Sequence, residues 1–291
     1  MEEPMNSDTR ARLLISCPDR PGIVSAVSSF LYSHGVNITE LAQHSTDPEG
    51  GDFFMRLEFQ TPHMDVSAPV LEQAFSDVVG DRFDMNWRLS YASPRPKTAI
   101  LVSKFDHALL ELLWMWKRGK LATDISMVIS NHDDLRSAVE AFGIPFHHVS
   151  VTKDNKDEAE QQILDLMEGQ ADLVVLARYM QILSQRFVEH YPNRIINIHH
   201  SFLPAFAGAD PYRQAYDKGV KVIGATAHYV VPELDAGPII EQDVASVSHR
   251  QSVEDLKDLG RDLERQVLAR AVKWHLEDRI LLYGNKTVVF K

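Results

Sequence analysis

The sequence predicts an α/β protein in two parts. A ferredoxin-like βαββαβ domain comes first, and a Rossmann-like, doubly wound and mostly parallel sheet follows. Three observations carry this. Pro94 and Pro96, two prolines in three residues, mark a stiff, extended connector. Before it, strand-like and helix-like patterns run in the order βαββαβ. After it, short apolar runs alternate with helical patterns, and the run at 173–177 (LVVLA) is apolar throughout, as strands covered on both faces are. The length of 291 residues suits two domains of about 150 each. The expected boundaries are 8–92 for the first domain, 93–97 for the linker and 98–291 for the second.

In the first domain, residues 10–16 read as a strand. The turn Asp19-Arg20-Pro21-Gly22 opens a helix whose Ile23, Val27, Phe30 and Leu31 recur at helical spacing. His34-Gly35 stops that helix, because glycine takes positive φ without strain. Residues 36–45 form a second strand, 47–51 a turn, and 53–59 a third strand with alternating Phe53, Met55, Leu57 and Phe59. Val70, Phe75 and Val78 suggest a second helix, and 83–91 a last strand. In the second domain, strands are expected at 99–103, 125–130, 146–151, 173–177, 195–198, 220–231 and 239–247. Helices are expected at 108–116, 133–142 and 157–167, around Phe187, and at 253–276. Trp114 and Trp116 are expected in the core or an interface, and Asp255, Asp258, Asp262 and Glu264 on a solvated helix face.

Composition narrows the function. There are 30 Lys+Arg against 41 Asp+Glu, and no lysine among the first 96 residues. Nucleic acid is therefore not an expected partner, since phosphate neutralisation needs clustered cations. The single cysteine, Cys17, leaves no pair for a disulfide or a cysteine-based zinc site, and is expected as a small buried hydrophobe. The opening MEEPMNSD is unlike a leader peptide, and no apolar run nears the roughly 20 residues of a membrane span. A cytoplasmic protein with no membrane partner is expected.

Asp19-Arg20-Pro21-Gly22-Ile23, followed by Gly35-Val36-Asn37-Ile38, resembles the ACT domain, a small regulatory module that commonly binds amino acids where paired domains meet. The turn leaves backbone N–H groups free at a helix start, where a carboxylate is well received. The resemblance implies an amino-acid effector site at Asp19, Arg20, Gly22, Ile23, Asn37 and Ile38, with glycine and methionine as effectors. It also implies a homo-oligomer, dimer or tetramer. The plainer alternative is that the glycines only shape turns.

The chemistry concentrates in the second domain. In Asn197-Ile198-His199 the polar residues are two apart on a strand, so they share a side. An amide donor beside an imidazole suits stabilisation of an oxyanion and transfer of a proton. Thr226 and His228 share a side of a later strand. Asp235, in Leu234-Asp235-Ala236-Gly237-Pro238, can be held rigidly to orient water. His199, His200, His228 and Asp235 also raise the question of a metal site. Adjacent His199 and His200 on a strand would face opposite ways, so no metal is expected.

Asn197-x-His199-x-Ser201, then Leu203-Pro204, Thr226-x-His228 and Leu234-Asp235-x-Gly237, resembles the formyltransferase family that uses 10-formyltetrahydrofolate. The stretch 175–183 (VLARYMQIL) resembles its folate-pocket strand and loop. The resemblance implies Asn197, His199, Asp235 and His228 as catalytic residues. It implies Leu176, Arg178, Met180, Gln181, Leu183, Ser201, Val230, Val231 and Gly237 around the folate, which is substrate rather than cofactor; no cofactor is expected. Purine-synthesis members carry a Gly-Ser-Asn type loop for the acceptor's phosphate. Here the stretch is Val102-Ser103-Lys104-Phe105-Asp106-His107-Ala108, without glycine. Water is then the expected acceptor. The implied reaction is hydrolysis of 10-formyltetrahydrofolate to tetrahydrofolate and formate, supplying formate for purine synthesis. Formyl transfer to a non-phosphorylated amine, and a folate or amino-acid sensor without turnover, are the alternatives.

Overall fold

The computed structural model describes residues 10–47, 49–61, 64–204 and 211–291. The acidic opening octapeptide and Pro48 of the turn at 47–51 lie outside the described residues. The chain divides into two compact units: 1–95 with 278–283 and 288–291, and 96–277 with 284–287. The second domain expected at 98–291 is therefore too long, because most residues after 277 belong to the first unit.

The first unit contains β1 (Arg10–Pro18), α1 (Ile23–Ser33), β2 (Asn37–Ser45), β3 (Asp52–Gln60), α2 (Ala68–Phe75) and β4 (Asn86–Tyr91). The strands form one antiparallel sheet in the order β2-β3-β1-β4, the expected ferredoxin-like plan. One sheet face packs Leu13, Ile15, Met55, Leu57 and Phe59 against Ile23, Val27, Phe30 and Leu31 of α1 and Leu71 and Phe75 of α2. Each such side chain contributes about 1.5–3 kcal/mol by burial. Val70 and Val78, which with Phe75 suggest this helix in the sequence, are half exposed, while Leu71, Phe75 and Val79 are buried. These recur every four residues, so the apolar stripe lies one position further along than the periodicity suggests. The chain leaves α2 through a π turn (Ser76–Gly80) and a 3₁₀ turn (Asp81–Phe83), so the last strand starts three residues later than expected.

The other sheet face explains why residues after 277 join this unit. Arg56, fully buried, pairs with Glu40 at 3.0 Å and Glu58 at 3.2 Å. Its Nε donates to the Asp278 carbonyl at 3.0 Å. Phe54 meets Tyr283 edge-on at 5.3 Å. A buried guanidinium is tolerable only when carboxylates and carbonyls surround it.

The second unit contains β5 (Lys97–Val102), α3 (His107–Lys117), β6 (Asp124–Ser130), α4 (Arg136–Glu140), β7 (Phe146–His148), α5 (Lys156–Met167), β8 (Leu173–Ala177), α6 (Gln185–His190) and β9 (Ile195–His199). It continues with α7 (Pro211–Lys218), β10 (Val222–Tyr229), β11 (Ile239–Ser246) and α8 (Val253–Leu276). The sheet order is β11-β10-β9-β8-β5-β6-β7. Strands β7, β6, β5, β8 and β9 are parallel; β10 and β11 are antiparallel additions. The order reverses between β5 and β8, the place where open α/β sheets receive ligands at their carboxyl ends. Trp114, expected in the core or an interface, is half exposed and lies edge-on to Phe142 at 5.1 Å. A hairpin missed in the sequence closes the chain: β12 (Ile280–Tyr283) and β13 (Lys286–Val289).

Gly260 sits inside α8, where alanine would ordinarily be favoured by about 1 kcal/mol. Here a Cβ would stand 2.0 Å from the Tyr212 hydroxyl. Gly260→Ala is therefore expected to destabilise the protein by about 1–3 kcal/mol, the usual range for overpacking. A urea midpoint that rises instead would refute this.

Candidate active site

The antiparallel pairing of β9 with β10 places Asn197 opposite His228 and His199 opposite Thr226. Opposed residues of such a pair share a face, so four polar side chains from two strands collect on one side. The His228 Nδ1–H donates to the Tyr229 carbonyl at 2.8 Å. Its Nε2 is then an acceptor and takes a hydrogen bond from the Asn197 amide at 3.2 Å. Burial lowers the His228 pKa, which keeps the ring neutral and suits that role. The arrangement fixes the Asn197 amide and leaves its second N–H for a ligand.

Asp235 arrives from the loop between β10 and β11. Its carboxylate lies 3.3 Å from His199 Nδ1 and 3.7 Å from His228 Nε2. The hydrogen bond from His199, aided by the neighbouring imidazoles, holds the carboxyl below the usual range against the opposing effect of burial. Asp235 is thus ionised at neutral pH. His199 Nε2, on the far side of the ring, is buried without a hydrogen-bond partner among the described residues. The loop is tied down on both sides. Asn285 donates to the Ala236 carbonyl at 3.0 Å, and Thr287 to the Ile239 carbonyl at 2.6 Å.

These groups open on a cavity of about 330 Å³. Its other wall is the stretch following β8, held at the sheet's switch point by Ser103. The Ser103 hydroxyl accepts from Met180 N at 2.9 Å and donates to Asn131 at 2.7 Å. Leu176, Arg178, Met180, Gln181, Leu183, Val230 and Val231 line the cavity together with Asn197, His199, His228 and Asp235. Two expected members do not. Ser201 is buried and its carbonyl accepts from the Thr226 hydroxyl at 2.8 Å, so it braces the turn after β9. Gly237 is required for close packing, since a Cβ there would lie 1.8 Å from the Tyr229 carbonyl oxygen.

Tyr179, Ile182, Ile198, His200, Pro232 and Leu234 also line the cavity. His200 was expected to face away from His199. Instead its ring lies 5.1 Å from that of His199, because β9 ends at His199 and alternation ends with it. Among the described residues no group of three or more His, Cys, Asp or Glu is arranged to hold a metal.

Glu264, expected in solvent, is almost wholly buried. It accepts from Tyr212 at 2.7 Å and pairs with His107 at 2.8 Å and Arg178 at 3.3 Å. Burial alone would raise its pKa; those three partners more than offset this and hold it low. Its spacing from Gly260, Leu263, Val267 and Leu268 on α8 was the available signal, because that stripe faces inward.

In the first unit, Gly22 precedes α1 in a left-handed conformation with φ 98°. Arg20 donates to the Arg82 carbonyl at 2.7 Å and pairs with Asp84 at 3.2 Å. Asp19 accepts from the Ser45 hydroxyl. Asn37 is exposed, whereas Ile23 belongs to the core and Ile38 packs against it. Ile23 thus supports the turn rather than facing a ligand.

The comparisons with known proteins agree with this division. The formyl transferase family model matches residues 96–272 and the ACT domain model residues 11–75. A formyltetrahydrofolate deformylase of Bacillus subtilis is 55% identical over 285 residues, 98% of this chain and 95% of that protein. The crystal structure of a formyltetrahydrofolate deformylase from Pseudomonas syringae superposes with a TM-score of 0.93 at 49% identity, covering 97% of this chain and 95% of that one. A glycinamide ribonucleotide transformylase from Symbiobacterium toebii matches at a TM-score of 0.65 and 28% identity, covering 70% of this chain and 98% of its own. The fold and site thus define a hydrolase built on a formyltransferase domain with an ACT domain before it. The chain belongs to the formyltetrahydrofolate deformylase family.

Burial, assisted by the Arg178 charge, lowers the His200 pKa from 6.5 to about 4. The unfolded chain binds this proton from about pH 6.5 downward and the folded chain does not, so stability falls with pH through that window. The effect is of order 2–3 kcal/mol by pH 4. His200→Gln is expected to flatten the fall, seen in urea midpoints between pH 7 and pH 4.5; an unchanged slope would refute it.

Proposed function

We propose that this site hydrolyses 10-formyltetrahydrofolate to tetrahydrofolate and formate. The carrying observation is the convergence of the Asn197 amide, the His199 imidazole and the ionised Asp235 carboxylate on one wall of a cavity large enough for a pterin. The cavity, about 330 Å³, falls at the lower end of the usual range for ligand pockets. The pterin lies between the stretches 176–183 and 230–237, against apolar Leu176, Leu183, Val230 and Val231. Arg178, Met180 and Gln181 flank it.

Asp235 holds a water molecule against the formyl carbon. As water attacks it passes a proton to Asp235, and the carbonyl oxygen gains charge and takes hydrogen bonds from the second N–H of Asn197 and from His199. The tetrahedral intermediate breaks at the bond from carbon to N10. N10 receives a proton relayed through His199, and formate leaves. His228 supports this by fixing the Asn197 amide. Loss of one oxyanion donor typically costs about 10²–10³ in rate.

In the finer reading, the protein is a cytoplasmic homo-oligomer that supplies formate for purine synthesis. The ACT domain receives an amino acid, glycine or methionine, whose carboxylate meets the free N–H groups of the turn before α1, beside Asp19, Arg20, Gly22, Asn37 and Ile38. Regulation requires the effector to favour one of two arrangements.

Purified protein incubated with 10-formyltetrahydrofolate alone is expected to release formate and tetrahydrofolate in equal amounts; no formate would overturn the reading. Asn197→Ala and Asp235→Asn are each expected to lose about 10²–10³-fold in turnover while keeping folate affinity. Near-normal turnover in either variant removes that residue from the mechanism. Glycine and methionine are expected to shift wild-type turnover, and no shift with either would dismiss both as effectors.

A further inference from the structure

A second cavity of about 210 Å³ lies beside the first, lined by Phe105, His107, Tyr212, Lys257, Arg261 and Glu264. Among the described residues, only Arg178 and His200 line both cavities. These two residues therefore form the partition between the reaction centre and an adjoining space lined by charged residues. His200 is neutral and partly buried. Arg178 is nine-tenths buried, and its guanidinium lies 5.3 Å from the centre of the Phe105 ring and 3.3 Å from Glu264.

The backbone at Arg178 is unusual. Its φ is 63°, in the left-handed region that glycine enters freely and long side chains rarely adopt. A large residue kept in such a conformation requires compensation from its surroundings. Glu264 and Phe105 supply it: the carboxylate is buried with His107 and Tyr212, and Arg178 completes its set of partners. The strained residue and its anchors come from three separate parts of the chain, and all of them converge on the partition.

The chemistry gives the partition a purpose. An amine attacks a formyl carbon more readily than water does, so a hydrolase on this scaffold must keep amines out. Discrimination of this kind is commonly achieved by building an obstacle against the wrong partner. Water needs only about 30 Å³; an amine of any size needs the adjoining space as well. We propose that Arg178, anchored by Glu264 and Phe105, is a specificity-determining residue that closes the amine-acceptor route and restricts transfer of the formyl group to water. This rests on the hydrolysis proposed above. Where the route is open, the amine nitrogen bonds to the formyl carbon, the bond to N10 breaks, and the amine's proton passes to N10.

The test uses the full chain, 10-formyltetrahydrofolate and glycinamide as the amine probe, with formate and N-formylglycinamide both quantified by mass spectrometry. Wild type without glycinamide reports on the hydrolysis itself, so failure of that reading shows as absence of formate. With glycinamide, wild type is expected to yield formate with at most a trace of N-formylglycinamide. Arg178→Gly is expected to raise the ratio of N-formylglycinamide to formate by at least about tenfold, the lower end of discrimination by a shaped pocket. The ratio is independent of overall activity. Arg178→Gly/Glu264→Gln removes the carboxylate left without its cation, and is expected to behave alike. A wild-type product ratio in both folded variants, or N-formylglycinamide from wild type at the level of the variants, overturns the proposal.

Discussion

The pairing of β9 with β10 is the constraint on which the site depends. Because the two strands run antiparallel, Asn197 faces His228 and His199 faces Thr226. A shift of one residue would send each member of a strand to the opposite face. Thr226 guards the register: its hydroxyl donates to the Ser201 carbonyl and accepts from Leu203 N and Gln242. With register held, His228 can orient the Asn197 amide and Asp235 can reach His199. The carboxylate reaches them from a loop braced by Asn285 and Thr287, residues outside the sheet.

The electrostatics of the two neighbouring clusters differ in kind. In the cavity, two imidazoles, the partly buried His200 and the buried His228, are held neutral while Asp235 is held ionised. Negative charge is thus kept on one group, beside His199. Around Glu264, a second carboxylate is surrounded by a histidine, an arginine and a phenol. A carboxylate so enclosed is a poor base and a good anchor, which suits a part in shaping the site.

Much of this is legible in the sequence because it is written in local pattern. The βαββαβ order, the apolar run of β8 and the extent of α8 come from periodicity alone. Asn197, His199, His228 and Asp235 share strand faces and a glycine-bounded loop by spacing, but their joint role is implied by the resemblance to the formyltransferase family. The features that sequence reasoning misses depend on contacts between distant segments. Glu264 looks like one more acidic residue on an amphipathic helix, although its position falls on the inward stripe. His200 is misplaced when strand alternation is extended one residue past the end of the strand. Ser201 and Gly237 look like ligand contacts, but hydrogen bonding and close backbone approach account for them. Val70 and Val78 show that two apolar residues can suggest a face one position away from the true one.

The first unit draws on segments synthesised far apart: residues 278–283 and 288–291 belong with a sheet made before residue 95. Until they emerge, Arg56 has the carboxylates of Glu40 and Glu58 but lacks the Asp278 carbonyl, and Phe54 lacks the Tyr283 ring. On the ribosome this module must wait, its sheet uncovered on one side, while residues 96–277 of the other module are translated. An excised amino-terminal fragment would inherit the same bare flank, so a faithful dissection must join the distal hairpin to it.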